Sequence, residues 1–146
     1  MRQGAAALAA LALAAAGCGG GSGKVSFPDF QREANGICIR YARSVNALPD
    51  PRTMSAIAVA ARRSYALGRR ERARLQELET PKDARRSFGR LLARLEQADE
   101  LLPEVWQAAS QGNQVRVRAL VAQAKPILAQ ANTSAYALGL DDCRRR

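Results

Sequence analysis

Ser26-Phe27-Pro28-Asp29-Phe30-Gln31-Arg32-Glu33-Ala34-Asn35-Gly36-Ile37-Cys38-Ile39-Arg40-Tyr41 begins a stretch that runs on to Leu48 and stops at Pro49-Asp50-Pro51. Its apolar residues Phe27, Phe30, Ala34, Ile37, Tyr41, Val45 and Leu48 recur at steps of three and four. That is the period of one face of an α-helix, not the alternation of a strand. Ser26 stands where an N-cap hydroxyl accepts from an early backbone N–H. Pro28 lacks a donor where none is used, and Asp29 meets the positive end of the helix dipole. The segment therefore reads as a capped amphipathic helix that must bury one stripe against something else.

Three more such segments follow. Thr53 caps a second helix, whose buried stripe is expected to hold Met54, Ile57, Ala61, Tyr65 or Ser64, Gly68, Leu75 and Leu78. Thr80-Pro81 ends that helix and opens a third, with Asp83 three residues after Thr80 completing a capping pattern. The third stripe is Ala84, Phe88, Leu91, Leu95, Ala98, Leu102, Val105 and Ala109. Pro103 interrupts its hydrogen-bond ladder around Asp99 and should kink it. Gly112-Asn113 closes this helix and caps a fourth, with Val117, Leu120, Val121, Ala124, Leu128, Ala131, Ala135 and Leu138 inward, a bend near Pro126, and Gly139 as a left-handed C-cap. No segment alternates like a strand. Four amphipathic helices with short connections predict an all-α, antiparallel up-down-up-down four-helix bundle spanning 26–146. Trp106 and the tyrosines at 41, 65 and 136, at helical spacing, are expected in its core rather than lining a pocket.

Working outward to the N-terminus, Arg2 precedes an apolar run from Gly4 to Gly17. As a helix it would be about 21 Å long, too short for the ~30 Å hydrocarbon core of a bilayer. A basic start, a short apolar run and a small-residue junction make an export signal. Ala16-Gly17-Cys18 resembles the lipoprotein signal of bacteria, in which small residues precede a cysteine that is diacylglycerated and becomes the mature N-terminus. The position three before the cysteine, usually Leu in that family, is Ala15 here. The resemblance implies a signal peptide over 1–17, a lipidated Cys18 with a Gly/Ser-rich tether over 18–25, and export to the outer face of the cell membrane. Ala14-Ala15-Ala16 also fits ordinary signal cleavage, which would release a soluble secreted protein.

With Cys18 assigned to lipid, Cys38 and Cys143 remain. An even pair in an exported chain favours a disulfide over two buried thiols, joining the first helix to the C-terminal tail. Their separation speaks against a Cys-x-x-Cys redox centre or a thiolate metal cluster. The Asn35-Gly36-Ile37-Cys38 element, taken with Leu138-Gly139-Leu140-Asp141-Asp142-Cys143, resembles small two-cysteine helical lipoproteins or secreted proteins of high-GC bacteria. The resemblance implies a shared disulfide-stapled fold and brings no catalytic residues.

Composition narrows the function classes. Histidine is absent, which removes imidazole bases, Ser-His triads and the usual zinc, copper and haem ligands. No catalytic residues, cofactor or metal site are expected, and the chain reads as non-enzymatic. The net charge is +10, unevenly placed: from Arg62 to Arg94 there are eleven basic and four acidic residues. In an up-down bundle this hairpin lies at the pole where the tether enters, as does the end of the fourth helix with Arg144-Arg145-Arg146. Arg62, Arg63, Arg69, Arg70, Arg74, Arg86, Arg90 and Arg94 are the candidate patch for anionic head groups. Its alternative is a solvated face in an Arg-rich protein. No helix-turn-helix or aromatic stacking motif points to nucleic acid.

Glu96, Asp99, Glu100 and Glu104 form an acidic row expected to be solvated or paired with Arg116 and Arg118. Asp141-Asp142 lacks an EF-hand pattern. The leading expectation is a membrane-anchored envelope module that binds a protein or an anionic polymer. The alternatives are a soluble secreted helical protein, or an extracytoplasmic bundle whose kinks at Pro103 and Pro126 open a small-ligand or cation pocket.

Overall fold

The computed structural model describes residues 25–144. The expected signal peptide, the expected lipidation site Cys18 and the expected tether through Lys24 lie outside them, as do Arg145 and Arg146. The described chain folds as α1 (Phe27–Asn46), α2 (Met54–Gln76), α3 (Arg85–Asp99), α4 (Leu101–Ser110) and α5 (Gln114–Ala137), followed by a 3-10 turn at Asp141–Cys143. Because α3 and α4 are one rod interrupted at Glu100, the architecture is the four-helix up-down-up-down bundle. Three caps expected from sequence are made. Backbone N–H groups of Asp29, Ala56 and Arg116 donate to the side chains of Ser26, Thr53 and Asn113.

Thr80 does not cap α3. Its hydroxyl donates back to the Leu78 carbonyl, and a tight turn over Pro81–Ala84 precedes the helix, which starts at Arg85 without a side-chain cap. The interruption at Glu100 follows from Pro103, which has no N–H to offer the carbonyl four residues back, that of Asp99. It has a packing consequence. Below the break α3 packs chiefly on α5, and above it α4 packs chiefly on α2.

The core accordingly divides in two. The lower cluster joins Phe30, Ala34 and Ile37 of α1, Leu75 of α2, Phe88, Leu91 and Leu95 of α3, and Ala131, Ala135 and Leu138 at the end of α5. Phe30 meets Phe88 edge to face with ring centroids 4.9 Å apart. The upper cluster is made of Ala58, Ala61, Leu101, Val105, Ala108, Ala109, Val117, Leu120 and Ile127. Each fully buried Leu or Phe contributes about 2–3 kcal/mol of transfer free energy, so the lower cluster, with more large side chains, is the firmer half. Helix α1 buries only Phe30, Ala34, Ile37 and Cys38, and its upper half takes no part in either cluster.

The tail is locked to α1. Gly139, at φ +64°, reverses the chain after α5. Gln31 Nε2 donates to the Leu138 carbonyl at 2.8 Å and Asn35 Nδ2 to the Gly139 carbonyl at 3.3 Å, while Asn35 Oδ1 accepts from the Asp142 N–H at 3.1 Å. Cys38 and Cys143 form the disulfide, with Cα atoms 4.9 Å apart. Both elements singled out from the sequence, Asn35 to Cys38 and Leu138 to Cys143, are thus the two sides of one clasp.

Candidate functional site

Two features outside the cores have the makings of a site, a basic flank and a cleft at the helix break. The flank starts where the chain enters the bundle. Val25 packs on the lower cluster together with Leu78 of the α2–α3 turn, so the entry point and the arginine hairpin share a pole. Arg69, Arg70 and Arg74 on the last turns of α2, and Arg86, Arg90 and Arg94 at four-residue steps on α3, are all exposed. Arg69 lies over the Tyr65 ring at 5.8 Å, Arg94 donates to Gln97 at 2.7 Å, and Arg90 donates to Ser87 at 3.1 Å.

Arg62 and Arg63, though exposed, belong elsewhere. They lie about 20 Å along α2 from its lower end, given 1.5 Å per residue. The Arg62 guanidinium sits over the Trp106 ring of α4 at 5.7 Å, and Arg63 lines a groove beside Leu48 and Thr53 at the opposite pole. Arg72 turns inward. Arg144 also departs from the expected pole, because the clasp carries the tail up to the level of Cys38, where Arg144 stacks on Tyr136 and pairs with Asp141 at 3.6 Å.

The cleft is the larger feature, about 560 Å³. One wall is the upper half of α1, with Tyr41, Ala42, Val45 and Asn46. The facing wall is the break itself, Leu95, Ala98, Asp99 and Leu102, with Ala124 and Leu128 of α5 on either side of Pro126. Ser64 of α2 and Asp141, Asp142 and Arg144 of the tail complete the lining. Closed and dry, a void of this size would cost on the order of 10 kcal/mol at about 24 cal/mol per Å³, comparable with the whole stability of a small domain. It persists as a solvent-accessible cleft.

Asp99 holds the cleft's inner wall. It is buried, and its carboxylate accepts from Arg72 at 2.6 Å, with Glu96 3.7 Å from the same guanidinium. Gly68 of α2 makes room for it, since a Cβ there would stand 2.5 Å from Asp99 Oδ2. Asp99 thus departs from the solvated row expected of it, whereas Glu104 does pair with Arg116. Glu71, also buried, was on no expected stripe. The sequence signal for the Asp99 site is the isolated glycine inside α2, Gly68, whose missing Cβ admits the carboxylate.

The aromatic expectation is overturned. Trp106 and Tyr136 are 43% and 71% exposed, Tyr65 is half-buried under Arg69, and Tyr41 faces the cleft. On α5 the stripe slips, with Ile127 buried and Val121 exposed. The buried face runs through Val117, Leu120, Ala124, Ile127, Ala131 and Ala135 in unbroken steps of three and four, past Pro126. The Asp29 carboxyl is held below the usual carboxylate range by the Ser26 hydroxyl and by Arg32. No three His, Cys, Asp or Glu side chains converge as a metal site among the described residues, and none of these helices is long and apolar enough to cross a membrane. No protein-family model, curated protein or solved structure matches this chain.

Proposed function

We propose that this is an exported, non-enzymatic lipoprotein, anchored through Cys18 to the outer face of the cell membrane. Its basic flank lies on anionic head groups, and the bundle serves as an interaction module for an envelope protein or anionic polymer. The observation that carries this reading is the shared pole of Val25 and the arginine hairpin. Cys18 precedes Val25 by seven residues, a reach of at most about 25 Å, so a lipid on Cys18 would hold the hairpin close to the membrane surface. Each arginine near an anionic surface contributes about 1 kcal/mol. Arg69, Arg70, Arg74, Arg86, Arg90 and Arg94 are all exposed on the two helices of that hairpin, and their effect would weaken with salt.

Two measurements test it. Expressed in a bacterium, the full chain should partition into detergent and carry an acylated N-terminal cysteine by mass spectrometry, and Cys18→Ser should abolish both. An unmodified protein cleaved after Ala16 and found in the medium would refute the anchor. In a vesicle-binding assay, the Cys18→Ser chain should bind phosphatidylglycerol and release at high salt, while changing the six arginines to Gln should remove binding. Equal binding to phosphatidylcholine would refute the flank.

A further inference from the structure

We infer that the cleft at the helix break is a binding site for a small aliphatic ligand carrying an ammonium group. This stands apart from the membrane reading, since it involves neither Cys18 nor the basic flank.

The walls argue for the aliphatic part. Val45, Leu95, Leu102 and Leu128 come from four different helices and converge on one space of about 560 Å³, within the range of small-molecule sites. Apart from Tyr41 the lining offers no aromatic face, so an alkyl chain matches it better than a planar ring. The upper half of α1 is the telling element. Tyr41, Ala42 and Val45 continue the apolar stripe that is buried lower down, yet here they remain half-buried against an open cleft. An alkyl chain would take the place that a facing side chain takes in the lower cluster.

Charge argues for the head group. In a chain of net charge +10, the cleft is lined by three carboxylates, Asp99, Asp141 and Asp142, and one guanidinium, Arg144. Arg72 answers Asp99 from behind the wall, and Arg144 answers Asp141. Asp142, whose backbone N–H donates to Asn35, is the exposed carboxylate that remains in the lining. An ammonium with its carbon chain inward would meet that carboxylate.

Calorimetric titration of the full chain carrying Cys18→Ser with octylamine, octanol and octanoate tests this, the three sharing one chain and differing in charge. Octylamine should bind most tightly, octanol less and octanoate least. Ala42→Phe should fill the cleft and abolish octylamine binding without lowering the thermal unfolding midpoint. Asp142→Asn should weaken octylamine binding, and Arg144→Gln should tighten it, each by about twofold to fivefold as expected for half-exposed charges. Octanoate binding as tightly as octylamine, octylamine binding that survives Ala42→Phe, or no binding by any of the three would overturn the proposal. Should Ala42→Phe unfold the chain, the opposed shifts from Asp142→Asn and Arg144→Gln still decide it.

Discussion

The lower and upper halves of the bundle are built from the same four rods and differ in how many of them share a core. Below Glu100, α1, α2, α3 and α5 all contribute to one cluster, with Phe30 against Phe88 and the Cys38–Cys143 disulfide buried within it. Above it, α1 drops out, the cluster is rich in alanine, and Val59 and Trp106 are left exposed. A helix with a continuous apolar stripe can thus be partnered along half its length and unpartnered along the rest. The break at Pro103 and the turn-back at Gly139 decide where that change falls.

The largest expected effect comes from opening the clasp. The disulfide closes a loop of 105 residues, for which the chain-entropy model gives about 4.7 kcal/mol. Cys38→Ala with Cys143→Ala should lower the unfolding midpoint steeply. By hydrogen exchange, α1 and the tail should lose protection before the upper cluster does. Loss of protection in α4 first would break the comparison.

Truncating one core residue in each half comes next. Phe88→Ala should cost about 3–5 kcal/mol and Leu120→Ala about 2–5 kcal/mol. The sharper distinction is local, because Phe88→Ala should expose α1 to proteolysis and Leu120→Ala should not.

Gly68→Ala probes the boundary between the halves. Elsewhere in a helix Ala is favoured over Gly by about 1 kcal/mol. Here its Cβ would meet the Asp99 carboxylate, so the change should destabilise by about 1–3 kcal/mol, in the range of overpacking. A double-mutant cycle with Asp99→Ala should be strongly non-additive, and additivity would disprove the contact.

The smallest effect is at the entry of α1. The folded state lowers the Asp29 carboxyl through Ser26 and then Arg32, so this contribution is complete above the ordinary carboxylate value and fades as pH falls through the lowered one. Ser26→Ala should move the Asp29 titration upward in an NMR pH series. It should leave stability at neutral pH changed by no more than the loss of one cap, about 1 kcal/mol.

Much of the fold was legible because its signals are local. Ser26, Thr53 and Asn113 announce helix starts by bonding to groups three residues away, and Gly139 announces a stop through its own backbone angle. The site was less legible. Glu71 and Asp99 read as surface charges, because an acid's neighbours in sequence do not reveal whether a guanidinium and a glycine on another helix will meet it. Trp106 and Tyr136 read as core because helical spacing gives a face, and which faces are covered depends on the partners.

By itself, then, the sequence determined the four rods, their direction, the pairing of Cys38 with Cys143 and the pole shared by Val25 and the arginine hairpin. Period, caps and connection length are properties of neighbouring residues. Only the tertiary structure decided that the third rod changes partner at Glu100, that Arg62 and Arg144 leave the basic pole, and that a cleft opens beside Tyr41 and Val45. These depend on which surfaces meet across the bundle, where packing between distant residues outweighs what each segment favours alone.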